Sequence, residues 1–141
     1  MRLILLLALL PLQAQAWTFT PGLICRLTHE TPQARIELTY DPAAPLYSIT
    51  VTTQNPLPRS QVVSMTFVGP SGRTISTDRH TYSPDGRSVT AQDTGFGNVL
   101  DGLQFNQTAQ AIIGGTTLTF ALEGAAEPTA KFRACEVSAG A

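Results

Sequence analysis

The chain is poor in the residues that many functional sites require. Its 141 residues include two cysteines, two histidines and one tryptophan, and only 13% of them are charged. Two separated histidines and two distant cysteines supply too few ligands for a metal site, so we expect no metal and no cofactor. Nine Lys and Arg against ten Asp and Glu leave no basic excess of the kind that binds nucleic acid.

Long hydrophobic runs are also missing, apart from a short one at the amino end. Residues 3–12 are apolar, follow Arg2 and precede Ala14 and Ala16. A bilayer span takes roughly 20 apolar residues, which this run does not reach. A positive charge, a short apolar core and small residues at −3 and −1 predict a signal peptide, residues 1–16. No later segment approaches the length of a membrane span.

After cleavage, residues 17–137 are the right size for a single domain, and we expect residues 138–141 to be a disordered tail. Export places the domain in the periplasm or outside the cell. In an oxidising compartment an even pair of cysteines usually forms a disulfide, so we predict one between Cys25 and Cys135. Two buried thiols or a metal site are the alternatives.

Alternation of apolar and polar residues dominates the mature chain. One example is Ile36, Leu38 and Tyr40, which are separated by Glu37 and Thr39. Alternation over four to eight residues predicts strands with one buried face. Turn signals rich in Pro, Gly and Asp separate these segments about every ten residues. The pattern predicts a mainly β fold, an antiparallel β-sandwich or a partly open barrel.

One or two short helices are expected beside the strands. Asn98 fits the cap of a helix over residues 99–103, with Asp101 in a capping box. Pro128 fits the first position of a helix near the carboxyl end, over residues 128–134. Residues 106–113 fit a helix or a strand equally well.

Asp93, Thr94 and Gly95 form the tripeptide that surrounds the catalytic aspartate of aspartic proteases. That chemistry needs two such aspartates, each carried by an apolar strand. The run before Asp93, residues 90–92, is not apolar. A glycine-containing bend at residues 93–97 is the simpler interpretation.

Residues 77–80 place Thr77, Asp78, Arg79 and His80 together at the end of a predicted strand. Asp78 and His80 would share one side of that strand, where the aspartate could orient the histidine as a general base. However, no serine sits in a glycine-flanked elbow of the kind that presents a nucleophile. A polar strand end that satisfies its own groups, or an interaction surface, is the preferred interpretation.

The mature chain resembles a group of small exported proteins of alphaproteobacteria that have no established activity. Four stretches carry the resemblance: 25–32 (Cys-Arg-Leu-Thr-His-Glu-Thr-Pro), 74–80 (Thr-Ile-Ser-Thr-Asp-Arg-His), 95–102 (Gly-Phe-Gly-Asn-Val-Leu-Asp-Gly) and 132–135 (Phe-Arg-Ala-Cys). Some of these proteins carry the name of a DNA-repair excinuclease, but this chain has no phosphate-binding loop to match it. A looser similarity is to exported invasion-associated proteins of the locus B type. Both resemblances imply an exported β-rich domain.

We therefore expect an exported, non-catalytic module that binds a partner protein or an envelope component. The candidate interaction surface is residues 77–80. The alternative is a small periplasmic hydrolase that uses Asp78 and His80 or, with less support, Asp93.

Overall fold

The computed structural model describes the backbone of residues 16–139 and the side chains of residues 16–135. Two antiparallel sheets form the scaffold, one with the strand order β1-β2-β3-β4-β8-β7 and one with the order β10-β9-β5-β6. The strands are β1 (Thr18–Thr20), β2 (Cys25–Glu30), β3 (Ala34–Asp41), β4 (Leu46–Thr53), β5 (Val63–Val68), β6 (Arg73–Thr77), β7 (His80–Tyr82), β8 (Ser88–Asp93), β9 (Thr108–Ile113) and β10 (Thr116–Ala121). The predicted mainly β fold is confirmed, and the two sheets do not close into a barrel over these residues.

The predicted alternation is what gives each sheet an inner face. On β3, Ile36, Leu38 and Tyr40 are buried, and the residues between them are more exposed. The inward residues of both sheets join one hydrophobic core. Residues 106–113, which fit a helix or a strand equally well by sequence, end in strand β9, where Ala109, Ala111 and Ile113 alternate inward.

Hydroxyl groups pair across the strands on the outer face of the six-stranded sheet. The Thr50 and Thr90 hydroxyls lie 2.8 Å apart, and those of Thr52 and Ser88 lie 2.7 Å apart. Cross-strand pairs of this kind stabilise a sheet by a few tenths of a kcal/mol to about 1 kcal/mol each. The frequent threonines therefore serve the strands twice, through their β-branched shape and through these bonds.

Two helices cover the core between the sheets, α1 (Gly97–Phe105) and α2 (Ala126–Ala139). α1 begins two residues before the predicted start, with Phe96 at the capping position and no side-chain cap. The prediction that Asn98 caps this helix is wrong, because Asn98 lies inside α1. Its Oδ1 instead accepts a hydrogen bond from Arg73 Nη1 (3.1 Å). α2 also starts early, and Pro128 is accommodated because the first-turn N–H groups have no partner within a helix.

The predicted disulfide is confirmed. Cys25 and Cys135 are bonded, with their Cα atoms 6.6 Å apart and a sequence separation of 110. The bond ties β2 to α2, whose Phe132 is completely buried. Arg133 of α2 also forms an ion pair with Asp101 of α1. The carboxyl-terminal helix is therefore fastened both to a sheet and to the other helix.

Near the amino end of the described chain, Trp17 is also buried. It is 3% exposed, and its indole N–H donates to the carbonyl oxygen of Ala121 on β10 (2.9 Å). Its ring stacks on His29 of β2 with the centroids 4.7 Å apart. Trp17 thus joins the two sheets directly. The predicted signal peptide lies almost wholly outside the described residues, as do the last two residues of the predicted tail, so both remain predictions.

The partly buried setting of His29 predicts a loss of stability in mild acid. Burial lowers the pKa of His29 below its ordinary value of 6.5, and a backbone hydrogen bond with Ala16 only partly opposes this. The folded protein then binds fewer protons than the unfolded chain, so the free energy of unfolding falls as the pH drops below about 6.5. Urea unfolding at pH 7.5 and pH 5.0 measures the difference. A His29→Phe variant, which keeps a ring against Trp17, should lose most of this dependence; an equal dependence in both proteins would contradict the assignment.

Helix α1 contacts the four-stranded sheet through a glycine. A Cβ atom on Gly102 would lie 2.3 Å from Cδ2 of Phe67, whose side chain is 1% exposed and cannot swing aside. We expect Gly102→Ala to destabilise the fold by about 1–3 kcal/mol despite the better helix propensity of alanine. Gly97→Ala is the matched control, because open space surrounds that position in the same helix. Equal unfolding midpoints for the two variants in urea would refute the steric argument.

Candidate functional site

Residues 77–80 are the point where the chain passes from one sheet to the other. Thr77 ends β6 in the four-stranded sheet and His80 begins β7 in the six-stranded sheet. Asp78 and Arg79 form the connection, which is held by a hydrogen bond from the Arg79 N–H to Thr77 Oγ1 (3.0 Å). The expectation that Asp78 and His80 share one side of a strand is wrong, because the strand ends before Asp78.

His80 holds a neighbouring loop. Its Nε2 lies 2.7 Å from the carbonyl oxygen of Ser60, and since a carbonyl can only accept, Nε2 carries the hydrogen. Its Nδ1 is buried with no hydrogen-bond partner among the described residues. Neither ring nitrogen is therefore bonded to Asp78, and the geometry of a histidine oriented by an aspartate is not formed.

Tyr82 holds the same loop from the other end of β7. Its hydroxyl donates to the carbonyl oxygen of Pro58 (2.8 Å) and accepts from the N–H of Ser60 (2.9 Å). The guanidinium of Arg59 lies over its ring, 4.7 Å from the centroid. His80 and Tyr82 thus anchor residues 58–60 on β7.

Ser76 and Ser83, two serines close to His80 in the sequence, have hydroxyls that are engaged elsewhere. Ser76 Oγ pairs with Ser64 Oγ across the four-stranded sheet (2.8 Å). Ser83 Oγ donates to a carboxylate oxygen of Asp85 (2.6 Å). The hydroxyl of Ser60, which lies beside His80, donates to the carbonyl oxygen of Val62 (2.6 Å), so none of these three serine hydroxyls is hydrogen-bonded to His80.

Asp93 ends β8 at the surface. Its Oδ1 accepts a hydrogen bond from the N–H of Thr94 (2.6 Å). This hydrogen bond stabilises the bend that leads to α1. It agrees with the interpretation of residues 93–97 as a glycine-containing bend.

An apolar crevice of about 810 Å³ opens between the two sheets beside residues 77–79. Strands from both sheets and the first turn of α1 line it. Its apolar side chains are Ile49, Val51, Val89 and Ala91 from the six-stranded sheet, Val63, Met65, Ile75, Ala111 and Ile113 from the four-stranded sheet, and Phe96 and Val99 from the start of α1. A cavity of this size and lining is typical of sites that hold a small, largely apolar ligand.

Two of the inward residues that line the crevice are alanines, one in each sheet. Ala91 on β8 and Ala111 on β9 do not reach across the space between the sheets. The aliphatic side chains of Ile49, Ile75 and Val99 consequently point into the crevice and stay only partly buried. The sequence pattern did not predict this site; the available signal was an alanine at an inward position with a valine or isoleucine two residues away on one side, Val89 beside Ala91 and Ile113 beside Ala111.

The mouth of the crevice carries charge of both signs. Asp78, Arg79 and Asp93 all line the crevice and are all exposed. Five ion pairs occur among the residues that the structure describes, and none includes these three. Asn98, at the start of α1, adds a polar residue to the same lining.

A second, more open hollow of about 630 Å³ lies on the other side of residues 78–80. His80, Tyr82 and Arg59 line it, and Asp78 and Val62 border both cavities. Thr77, Asp78 and Arg79 thus line the apolar crevice and His80 lines the second hollow, while the role of residues 77–80 as an interaction surface stays a prediction.

Within the described part of the chain, no helix is both long and apolar enough for a membrane span. The same residues contain no group of three or more His, Cys, Asp or Glu side chains placed to hold a metal ion. The resemblance to exported alphaproteobacterial proteins stays a prediction. Comparison with protein-family models, with curated proteins and with solved structures finds no match to this chain.

Proposed function

We propose that this chain is an exported, non-catalytic binding protein of the cell envelope that holds an apolar ligand in the crevice between its sheets. The observation that carries the proposal is the crevice itself, with three aliphatic side chains that the fold leaves partly exposed. Folding normally buries such residues, and an apolar concavity bordered by polar groups is typical of a binding site.

The energetics favour an apolar ligand. Each Å² of apolar surface removed from water contributes about 25 cal/mol. A polar group placed against Ile49, Met65 and Ile113 would lose its hydration with no hydrogen-bond partner to replace it. The crevice therefore selects hydrocarbon for its interior and admits polar groups only at the rim.

Two features support the compartment. The Cys25–Cys135 disulfide fits an oxidising environment, which periplasmic and secreted proteins share. The leader pattern of residues 1–16 predicts export. Intact-mass measurement of protein from the periplasm and medium of its host tests this: a chain that begins at Trp17 supports export, and a full-length chain in the cytoplasm contradicts it.

A hydrolase that uses Asp78 and His80 has less support. His80 Nε2 is hydrogen-bonded to the carbonyl oxygen of Ser60, and the hydroxyls of Ser76 and Ser83 are hydrogen-bonded to other side chains. A binding role needs no such assembly and uses the cavity that lies next to these residues.

The proposal is tested with a neutral apolar fluorophore, N-phenyl-1-naphthylamine. We expect saturable binding to the mature protein with one site per chain, and displacement by monolauroylglycerol. Lysozyme, another small disulfide-bonded protein, provides the background signal. Absence of saturable binding by both compounds would refute the crevice as a ligand site.

A further inference from the structure

We infer that the ligand of the crevice is a single-chain zwitterionic amphiphile, such as a lysophospholipid. Its acyl chain lies between the sheets, its phosphate contacts Arg79, and its ammonium group lies near Asp78 and Asp93. The inference rests on the proposed function and specifies the ligand of that same site.

The interior fits one hydrocarbon chain. The aliphatic lining comes from both sheets and includes Val51, Met65 and Val89, and the volume of about 810 Å³ lies in the range of sites for drug-sized ligands, roughly 300–1,000 Å³. A lipid with two long chains exceeds that range. Several of the lining side chains, among them Ala111 and Ile113, are almost fully buried, so the interior offers the end of a chain an apolar environment.

The head group follows from the charges at the mouth. Part of the charge elsewhere in the described chain is neutralised in ion pairs, as between Arg26 and Glu37 (3.1 Å), whereas other charged side chains, such as Asp41 and Arg59, are in none of the five pairs. At the mouth, Arg79 and the two carboxylates have no ion-pair partner among the described residues, although both signs are present. A ligand with a single charge would be attracted by one of these groups and repelled by the groups of its own sign. A zwitterion can place its anionic group near Arg79 and its cationic group near the two carboxylates.

An extended peptide is a less suitable occupant. Peptides commonly bind a sheet by pairing with an edge strand, and the edge beside the crevice is β6. One end of β6 is bound to α1 through Arg73 and Asn98. At the other end, the turn from Thr77 to Arg79 takes the chain away to the second sheet. The accessible edge between them is too short for a stable added strand.

The experiment compares four amphiphiles that share a twelve-carbon chain, each below its micelle concentration, by displacement of N-phenyl-1-naphthylamine. They are dodecylphosphocholine (zwitterionic), dodecanoate (anionic), dodecyltrimethylammonium (cationic) and monolauroylglycerol (neutral). We expect dodecylphosphocholine to bind about tenfold more tightly than any of the others, the difference expected for roughly one added charged contact. Free phosphocholine, which has no chain, should not bind.

Charge variants locate the head group. Arg79→Gln should weaken binding of dodecylphosphocholine and dodecanoate by about tenfold and leave monolauroylglycerol unchanged. The Asp78→Asn/Asp93→Asn variant should weaken dodecylphosphocholine and dodecyltrimethylammonium in the same way. Arg87→Gln is the matched control, because Arg87 is exposed and lies outside both cavities.

The outcomes separate this inference from the proposed function. Equal binding of all four amphiphiles, or equal effects of Arg79→Gln and Arg87→Gln, would overturn the zwitterionic assignment and leave the apolar site intact. Tightest binding of a singly charged amphiphile would do the same. Failure of monolauroylglycerol and of the neutral fluorophore to bind would overturn both. Displacement of the fluorophore by unstructured peptides in preference to amphiphiles would assign the crevice to a protein partner instead.

Discussion

The Cys25→Ser/Cys135→Ser variant should lose about 4–5 kcal/mol of its free energy of unfolding. The disulfide closes a loop of 110 residues, and the chain-entropy estimate for a loop of that length is about 4.7 kcal/mol. A domain of this size commonly has only about 5–15 kcal/mol of stability in total. The variant should therefore be near the limit of folding at 37 °C.

Urea unfolding followed by Trp17 fluorescence measures this loss, because Trp17 is the one tryptophan and lies buried against His29. Wild-type protein treated with a reductant should match the variant. Ala130→Ser, which adds a serine to the exposed part of α2, is the control and should change stability by less than about 0.5 kcal/mol. A loss below about 1 kcal/mol in the double variant would show that the bond adds little to a fold that the sheets already maintain.

Filling the crevice should have the second large effect. In the Ala91→Phe variant, we expect the aromatic ring to occupy the space between β8 and the opposite sheet. If it displaces about 100 Å² of ligand contact, binding weakens by about 2.5 kcal/mol, or roughly 70-fold in Kd. Stability should be unchanged or higher, because the ring contacts apolar side chains that are only partly buried, such as Ile75.

Titration with N-phenyl-1-naphthylamine and urea unfolding of the same samples test both expectations. Thr90→Phe provides the control, because the neighbouring residue lies on the outer face of the same strand, where its hydroxyl pairs with Thr50. That variant should bind the fluorophore as wild type does. Equal loss of binding in both variants, or undiminished binding in Ala91→Phe, would place the apolar site elsewhere.

The fold class could be predicted from the sequence because its signals are local. Alternation along β3 and β4 identifies strands, and an even number of cysteines in an exported chain indicates a disulfide. Helix α1 was less predictable. The Asn98 side chain suits a cap, but a distant residue, Arg73, uses its oxygen, and no local pattern records that contact.

The site could be predicted only in part, for a similar reason. Residues 77–80 stand out as a polar cluster, and Asp78 and Arg79 do line the crevice. The interior depends on which strands face one another across the sandwich. Ala91 and Ala111 lie in different sheets, and only the tertiary arrangement shows that both line the same cavity.

The contacts of Trp17 and Cys135 bear on how the chain folds. Trp17 reaches a carbonyl group 104 residues away, and the disulfide spans 110. Pairings of such high contact order form slowly, since a large loop must close before they contribute. A chain still emerging from the ribosome lacks one member of each pair until Ala121 and Cys135 have emerged. We therefore expect the two sheets to be joined late in synthesis, and the incomplete chain to be more prone to aggregation than the folded domain.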